Sequence, residues 1–142
     1  MKTLFVLLLS FVVVVFAGSA SAQWQTREIA DSRMSDVAAV ERLPSGEVVI
    51  FYNPRACSRL GRLVCGFVRA HEYGHVNMGH AITRRHRPTA EREADCWAAQ
   101  YASEAEYRAA YDYFRSRGNE GDEVYGTFNR RAQRIAFCRR NR

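Results

Sequence analysis

The feature that most constrains this chain is its N-terminus, where Met1 and Lys2 precede an apolar block at residues 4–16. Small residues follow and end in an A-x-A site at residues 20–22. A basic start, a short apolar segment and such a site make up a secretory signal peptide, and we expect cleavage after Ala22. The alternative of a permanent membrane anchor is disfavoured, because a spanning helix needs roughly 20 apolar residues. We therefore expect a secreted or periplasmic protein with no stable membrane insertion after cleavage.

The mature part, residues 23–142, is expected to be a single domain, which is large enough for a core but small enough to benefit from cross-links. It contains all four cysteines, and an exported protein meets an oxidising environment. Of the possible pairings we favour Cys57–Cys65, which closes a short loop, with Cys96–Cys138, which joins two predicted helices. A thiolate zinc site is disfavoured, since no two cysteines have the required close spacing.

The positive charge comes almost entirely from arginine, since Lys2 is the single lysine and the formal net charge is +6. Such an excess can indicate an anionic partner. The arginines are spread along the sequence, apart from short runs such as those at residues 84–85 and 139–140. We therefore expect solvated basic faces or a general attraction to an anionic cell envelope, and no nucleic-acid partner.

The sequence predicts an α+β, mainly helical fold: a small β-hairpin, an HExxH helix, a ligand-bearing helix and a C-terminal helix pair. Two β-rich runs at residues 37–43 and 47–52 flank a Pro-Ser-Gly turn at residues 44–46 and predict the hairpin. The polar residues 23–35 are expected to be a loose lead-in.

Apolar periodicity and capping residues predict four helices. The second should have Thr89 as its N-cap, and the third should begin with a capping box formed by Ser103 and Glu106. The four predicted helices end near residues 80, 102, 118 and 138, and the first and last begin near residues 63 and 123.

The sequence HEYGH at residues 71–75, within the first of these helices, is an H-E-x-x-H motif. Residues four apart lie one turn apart on one helix face, so His71 and His75 can reach a single cation. Zinc (Zn²⁺) suits imidazole nitrogen and tolerates an open fourth position. Glu72 lies about 100° round the helix from His71. There it is expected to be the general base for a water whose pKa zinc lowers to about 7.

Two residues compete to be the third zinc ligand, His80 and Glu91. On a continuing helix His80 would lie about 140° round from His75 and point away from the ligand face. It would return only if the helix broke sharply at Gly79, giving a site of three histidines. Glu91 opens an E-x-x-x-D pattern at the start of the next helix, and we favour it.

The E-x-x-x-D pattern places Glu91 and Asp95 on one helix face. Asp95 would accept the Nδ1–H of His71 and so fix its tautomer. The same face carries alanines, which would let this helix pack closely against another. Glu93 lies about 200° from Glu91 and is expected to be exposed.

The segments HEYGH and EREADCWAAQ resemble those of the gluzincin metallopeptidases, which join H-E-x-x-H to a glutamate in E-x-x-x-D. Within these peptidases the sequence resembles most the HtpX and CAAX-prenyl-protease group and the ImmA/IrrE-like group, over about residues 63–102. The resemblance implies that His71, His75 and Glu91 bind zinc, that Glu72 is the base and that Asp95 supports His71. The short spacing between His75 and Glu91, with no membrane-spanning helix expected, favours a minimal gluzincin.

The expected function is therefore that of a secreted zinc peptidase, which hydrolyses polypeptide substrates with a zinc-activated water. The alternatives are a zinc-stapled module that binds or inhibits without catalysis, which Glu72 disfavours, and a hydrolase of non-peptide bonds. The strand at residues 47–52 is expected to offer its edge to an extended substrate. The sequence indicates no oligomeric state and does not choose the oxyanion donor among Tyr52, Tyr125, His80 and His86.

Overall fold

The computed structural model describes residues 26–83 and 85–141, in which three short strands are followed by four helices, a short hairpin and a last helix. The predicted α+β, mainly helical fold class is confirmed. The predicted signal peptide, residues 1–22, lies outside the described residues. Within these the elements are β1 Arg27–Ala30, β2 Ala38–Arg42, β3 Val48–Tyr52, α1 Pro54–Leu60, α2 Arg62–Asn77, α3 Arg87–Tyr101, α4 Glu104–Arg117, β4 Gly121–Asp122, β5 Gly126–Thr127 and α5 Phe128–Arg140.

The first three strands form one sheet in the order β1-β3-β2. β2 and β3 are the predicted hairpin, with Val40 opposite Ile50 in an antiparallel ladder. β1 pairs parallel with β3 on the other side, so the expectation of a loose lead-in was wrong for this segment. The four residues of β1 are too few to show a period, and they are held by long-range contacts such as the ion pair of Glu28 with Arg69 on α2.

Helix α1 follows β3 directly and was not predicted. The side chain of Asn53 accepts hydrogen bonds from the backbone N–H groups of Arg55 and Ala56, and a proline occupies the first turn. The same Asn-Pro pair that ends the strand therefore also begins a helix. The disulfide Cys57–Cys65 ties α1 to α2.

Helices α2 and α3 have different ends from those predicted. α2 stops before His80 because Gly79 adopts a left-handed φ of +69°. α3 begins after His86, so Thr89 lies inside the helix and is not its N-cap. The proline before Thr89 is compatible with the first helical turn, where a backbone N–H has no helical partner.

The C-terminal helix pair consists of α4 and α5. α4 has the predicted capping box of Ser103 and Glu106. The predicted start of α5 near residue 123 was wrong, because residues 121–127 contain the β4–β5 hairpin and Thr127 is the N-cap. The predicted disulfide Cys96–Cys138 joins α5 to α3.

The core lies between α2, α3, α4 and α5, around the side chains of Phe67, Phe114 and Ile135. The alanine face of α3 is buried against α2. A Cβ atom on Gly74 would lie only 3.0 Å from the Cα of Ala94. The two helices can therefore approach closely, and this approach brings the start of α3 up to the histidines of α2. None of the described helices is long and apolar enough to cross a membrane.

Candidate metal centre

Side chains of His71 and His75 on α2 and of Glu91 on α3 converge on one point. His71 Nε2 lies 3.0 Å from Glu91 Oε2 and 3.1 Å from His75 Nε2, and His75 Nε2 lies 3.2 Å from Glu91 Oε2. A tetrahedral ion with ligand distances of about 2.0 Å holds its donors about 3.3 Å apart. The triangle therefore matches the donor spacing of such an ion, and this buried group can bind a metal.

The electrostatics of the group favour a cation. Burial disfavours a charged imidazole, but hydrogen bonds with Asp95 and Glu91 outweigh it and raise the pKa of His71 to about 9. Burial likewise opposes ionisation of Glu91, yet its hydrogen bonds with His71 and His75 lower its pKa to about 2. Without a metal the group therefore retains a proton, and a metal ion must displace that proton.

Glu72 lies beside the three donors, and it lines the same cavity. Its side chain is buried, and this burial raises its pKa above the ordinary value, although the neighbouring imidazoles oppose the shift. Val40 on β2 lines the same cavity. A carboxylate with a raised pKa is suited to accept a proton from water.

Asp95 is fully buried behind His71, with its Oδ1 3.0 Å from His71 Nδ1. Arg131 and Arg134 on α5 also donate hydrogen bonds to this carboxylate, at 2.7 and 2.5 Å. Although burial opposes it, the Arg131 guanidinium and the bond to His71 hold the pKa of Asp95 well below its usual range. Asp95 is thus a carboxylate that accepts the Nδ1 proton of His71 and leaves Nε2 free for a metal.

The sequence did not reveal the two arginines that hold Asp95. They stand three residues apart on α5, a spacing that puts both on one helix face. On most helices such a pair is simply solvated. Only the packing of α5 against α3 shows that they face a buried carboxylate.

His80 and Glu93 do not lie where they were expected. His80 Nδ1 is 2.9 Å from His75 Nδ1, and His80 Nε2 is 3.0 Å from Glu93 Oε2. Glu93 also forms an ion pair with Arg85. His80 was expected to return only if the helix broke at Gly79; the chain does turn there, but the donor group does not include His80. The prediction that Glu93 is exposed was wrong, because His80 and Arg85 both contact its carboxylate.

A cavity of about 620 Å³ opens over the donor triangle and Glu72. Residues 36–40, at and before the start of β2, form one wall. Another part of the lining is mainly aromatic and comes from α4, the β4–β5 hairpin and α5. Its side chains are Tyr113, Phe114, Tyr125, Phe128 and Arg131.

The strand that borders the cavity is β2 and not the predicted 47–52 segment. β3 has β1 on one side and β2 on the other, so neither of its edges is free. Val37 and Leu43 make backbone hydrogen bonds with the β3 side of the hairpin. In an antiparallel ladder, Ala38 and Val40 then direct their backbone N–H and C=O groups away from β3.

Among the four candidates for oxyanion donor, Tyr125 is placed best. It lines the cavity, with its ring centroid 6.3 Å from that of His71. Burial and the nearby charges of Glu91 and Glu72 raise its pKa to about 12, so its hydroxyl keeps its proton. His80 uses both ring nitrogens elsewhere, and the lining of the cavity includes neither Tyr52 nor His86.

No family model matches this chain, and comparisons with curated proteins and with solved structures found no match. The similarity to gluzincins therefore stays a prediction from the two motifs. What the structure adds is a buried group of two histidines and one glutamate that can hold a metal ion.

Proposed function

We propose that this protein is an exported zinc metallopeptidase of the gluzincin type. The observation that carries the proposal is the triangle of His71, His75 and Glu91, with Glu72 beside it under an open cavity. Two imidazole nitrogens and one carboxylate, with a fourth position left open, are a ligand set of catalytic zinc. Magnesium and calcium prefer sites made wholly of oxygen, so the donor chemistry favours zinc over both.

Different residues of this chain would carry out different steps of peptide hydrolysis. Zinc, when bound, polarises the scissile carbonyl group and lowers the pKa of a water molecule. Glu72 accepts a proton as the water oxygen attacks the carbonyl carbon, and it then gives a proton to the leaving amide nitrogen as the carbon–nitrogen bond breaks. Tyr125 donates a hydrogen bond to the carbonyl oxygen as negative charge develops there. Asp95 holds the His71 ring in the orientation and tautomer that binding requires.

The substrate that best fits the cavity is an extended polypeptide. The outward backbone groups of Ala38 and Val40 can pair with such a chain, because an edge strand binds a peptide by adding it to the sheet. Pairing through the backbone is tolerant of sequence. The aromatic part of the cavity lining would then contact the substrate side chains.

The two disulfides indicate that the protein matures in an oxidising compartment. Among the described residues no cysteine is free. Secretion or export to a periplasm provides such a compartment, and the proposal therefore includes the signal peptide predicted at residues 1–22.

The proposed function is tested by hydrolysis of an unfolded protein by the purified, disulfide-bonded chain supplied with zinc. Glu72→Gln should keep the fold and bound zinc but lower turnover by about 10²- to 10⁴-fold, the usual contribution of a general base. Glu123→Gln, at an exposed position, is the matched control and should turn over like the wild type. Equal turnover by Glu72→Gln and wild type would contradict the peptidase mechanism. Zinc binding without hydrolysis of any unfolded protein or peptide would indicate the non-catalytic module instead.

A further inference from the structure

We propose that His80 and Glu93 are positioning residues for metal binding, which orient the ring of His75 and fix its tautomer. The inference rests on the metal site of the proposed function and is independent of catalysis. His80 Nδ1 lies 2.9 Å from His75 Nδ1, and Glu93 Oε2 lies 3.0 Å from His80 Nε2. The side chain of His80 is only 6% exposed, so water competes little for these contacts.

The chain of hydrogen bonds permits only one arrangement of protons when His75 binds a metal. The metal takes the lone pair of His75 Nε2, so the proton of that ring is on Nδ1. This Nδ1–H donates to His80 Nδ1, which must therefore be unprotonated. The proton of His80 is then on Nε2 and donates to Glu93. Each nitrogen of the two rings then has one role, and the carboxylate at the end of the chain fixes the direction of all the bonds.

His80 is placed to support the ligand and not to replace it. Its Nδ1 faces Nδ1 of His75, whereas the donor triangle is made with Nε2 of that ring. The group able to hold a metal accordingly contains His71, His75 and Glu91. His80 thus approaches from the side of the ring that is turned away from the metal position.

Helix α3 then supplies a carboxylate behind each histidine ligand as well as the third ligand itself. Asp95 contacts His71 directly, and Glu93 reaches His75 through His80. Glu93 is held in turn by an ion pair with Arg85 in the segment before α3. The sequence EREAD at residues 91–95 therefore carries three roles at alternate positions.

The turn after α2 makes this arrangement possible. α2 ends at Asn77, and Gly79, with a φ of +69°, redirects the chain so that His80 N–H bonds to the carbonyl oxygen of His75. This backbone contact fixes His80 next to the ligand. A histidine five residues after His75 on a continuous helix would instead point about 140° away.

The proposal is tested by zinc affinity, measured by competition with a chelator on the disulfide-bonded protein. His80→Ala should weaken zinc binding by about 10- to 100-fold, the usual effect of losing a group that orients a ligand. His80→Asn should restore most of the affinity, because the Asn oxygen can stand near the position of Nδ1. Glu93→Ala should weaken binding and Glu93→Gln should stay within a few fold of wild type, since an amide oxygen still accepts. His86→Ala, at an exposed histidine of the same segment, is the matched control and should match wild type.

Nitrogen NMR of the imidazoles provides a readout that a loss of packing alone would not reproduce. With zinc bound, His75 should be the Nδ1–H tautomer and His80 the Nε2–H tautomer. In His80→Ala the His75 signal should shift or broaden while that of His71 stays in place. The wild-type spectrum alone tests the proton arrangement, even if a variant fails to fold.

Three results would overturn the proposal, and each is distinct from failure of the peptidase. A zinc affinity of His80→Ala equal to that of the wild type would show that His75 needs no support from His80. A metal-bound His80 in the NMR spectrum would make it a ligand. The opposite tautomer of His80 would break the chain to Glu93. By contrast, a wild-type protein that binds no zinc would overturn both proposals. If the variants show the expected order of zinc affinities but the wild type hydrolyses no peptide, the peptidase proposal alone would be overturned.

Discussion

A proton and a metal ion compete for Nε2 of His71. Burial opposes the charge on this ring, but Asp95 and Glu91 outweigh it, so the pKa is about 9 instead of the usual 6.5. Because the folded value is raised, the protonated ring stabilises the metal-free fold fully below about pH 6.5. This stabilisation is lost as the pH rises through about 9.

This shift predicts how zinc affinity depends on pH. Zinc must displace the proton from His71, so the measured affinity should rise from pH 6.5 and level off near pH 9. Chelator competition in a series of buffers measures the curve. Asp95→Asn removes a charge that raises the pKa, so its affinity should be lower but should level off at a lower pH. An affinity that is flat between pH 7 and 9 would contradict the charge state that we assign to His71.

Which site residues could be predicted from the sequence depends on how local their contacts are. The pair His71 and His75, and the choice of Glu91, follow from spacing along two helices. The position of His80 depends on whether the helix breaks at Gly79, which spacing alone does not decide. Glu93 was expected to be exposed because its place on α3 does not reveal that His80 and Arg85, from the preceding segment, contact it. Arg131 and Arg134 were missed entirely, since 36 or more residues separate them from Asp95.

The close contact between α2 and α3 sets the distance between the histidines and Glu91. A Cβ on Gly74 would lie 3.0 Å from the Cα and 3.1 Å from the carbonyl oxygen of Ala94. Both are backbone atoms and cannot turn aside. The contact therefore requires a residue without a side chain at this position.

Gly74→Ala should move α3 away from α2 and so weaken zinc binding. We expect overpacking to lower the unfolding free energy by about 1–3 kcal/mol and helix propensity to return about 1 kcal/mol, so the net loss should be up to about 2 kcal/mol. Thermal unfolding and chelator competition measure the two effects. Gly66→Ala on the same helix is the control for zinc affinity, because its Cβ would meet the side chain of Glu106 on α4 and not helix α3. Unchanged zinc affinity in Gly74→Ala would show that the helix contact does not position Glu91.

Most helices and the first hairpin were predictable because their periodic patterns are long enough to recognise. β1 has four residues and β4 and β5 have two each, too few for a period to appear. α1 was not predicted because an Asn-Pro pair is typical both of the end of a strand and of the start of a helix, and here Asn53 and the following proline do both. These elements depend on pairing with β3, on a disulfide or on a tight turn, and none of these is a property of local sequence.

The two disulfides close loops of very different length. Cys57–Cys65 closes a loop of 8 residues within neighbouring helices, whereas Cys96–Cys138 closes one of 42 residues and joins α3 to α5. The second bond therefore links the helix that carries Glu91 to the helix whose arginines hold Asp95. It should contribute more to stability and should also support the metal site.

Replacing both cysteines of Cys96–Cys138 by alanine should lower the unfolding free energy by about 4 kcal/mol, against about 2.5 kcal/mol for Cys57–Cys65. The difference follows from the loop lengths. Denaturant unfolding of the two double variants measures it. Zinc affinity should also fall in the Cys96–Cys138 variant and stay near wild type in the other. Equal losses in both variants, with zinc affinity unchanged, would show that the longer bond does not hold the site together.

The most direct test of the account is the zinc content and ligand set of the purified, disulfide-bonded protein. We expect one zinc per chain, and X-ray absorption should show two imidazole nitrogens and a carboxylate oxygen at about 2.0–2.2 Å. Glu91→Ala should lose the zinc under conditions where Asp112→Ala, at an exposed acid of α4, retains it. A wild-type protein without zinc, or a Glu91→Ala protein that keeps it with three histidine ligands, would contradict the account.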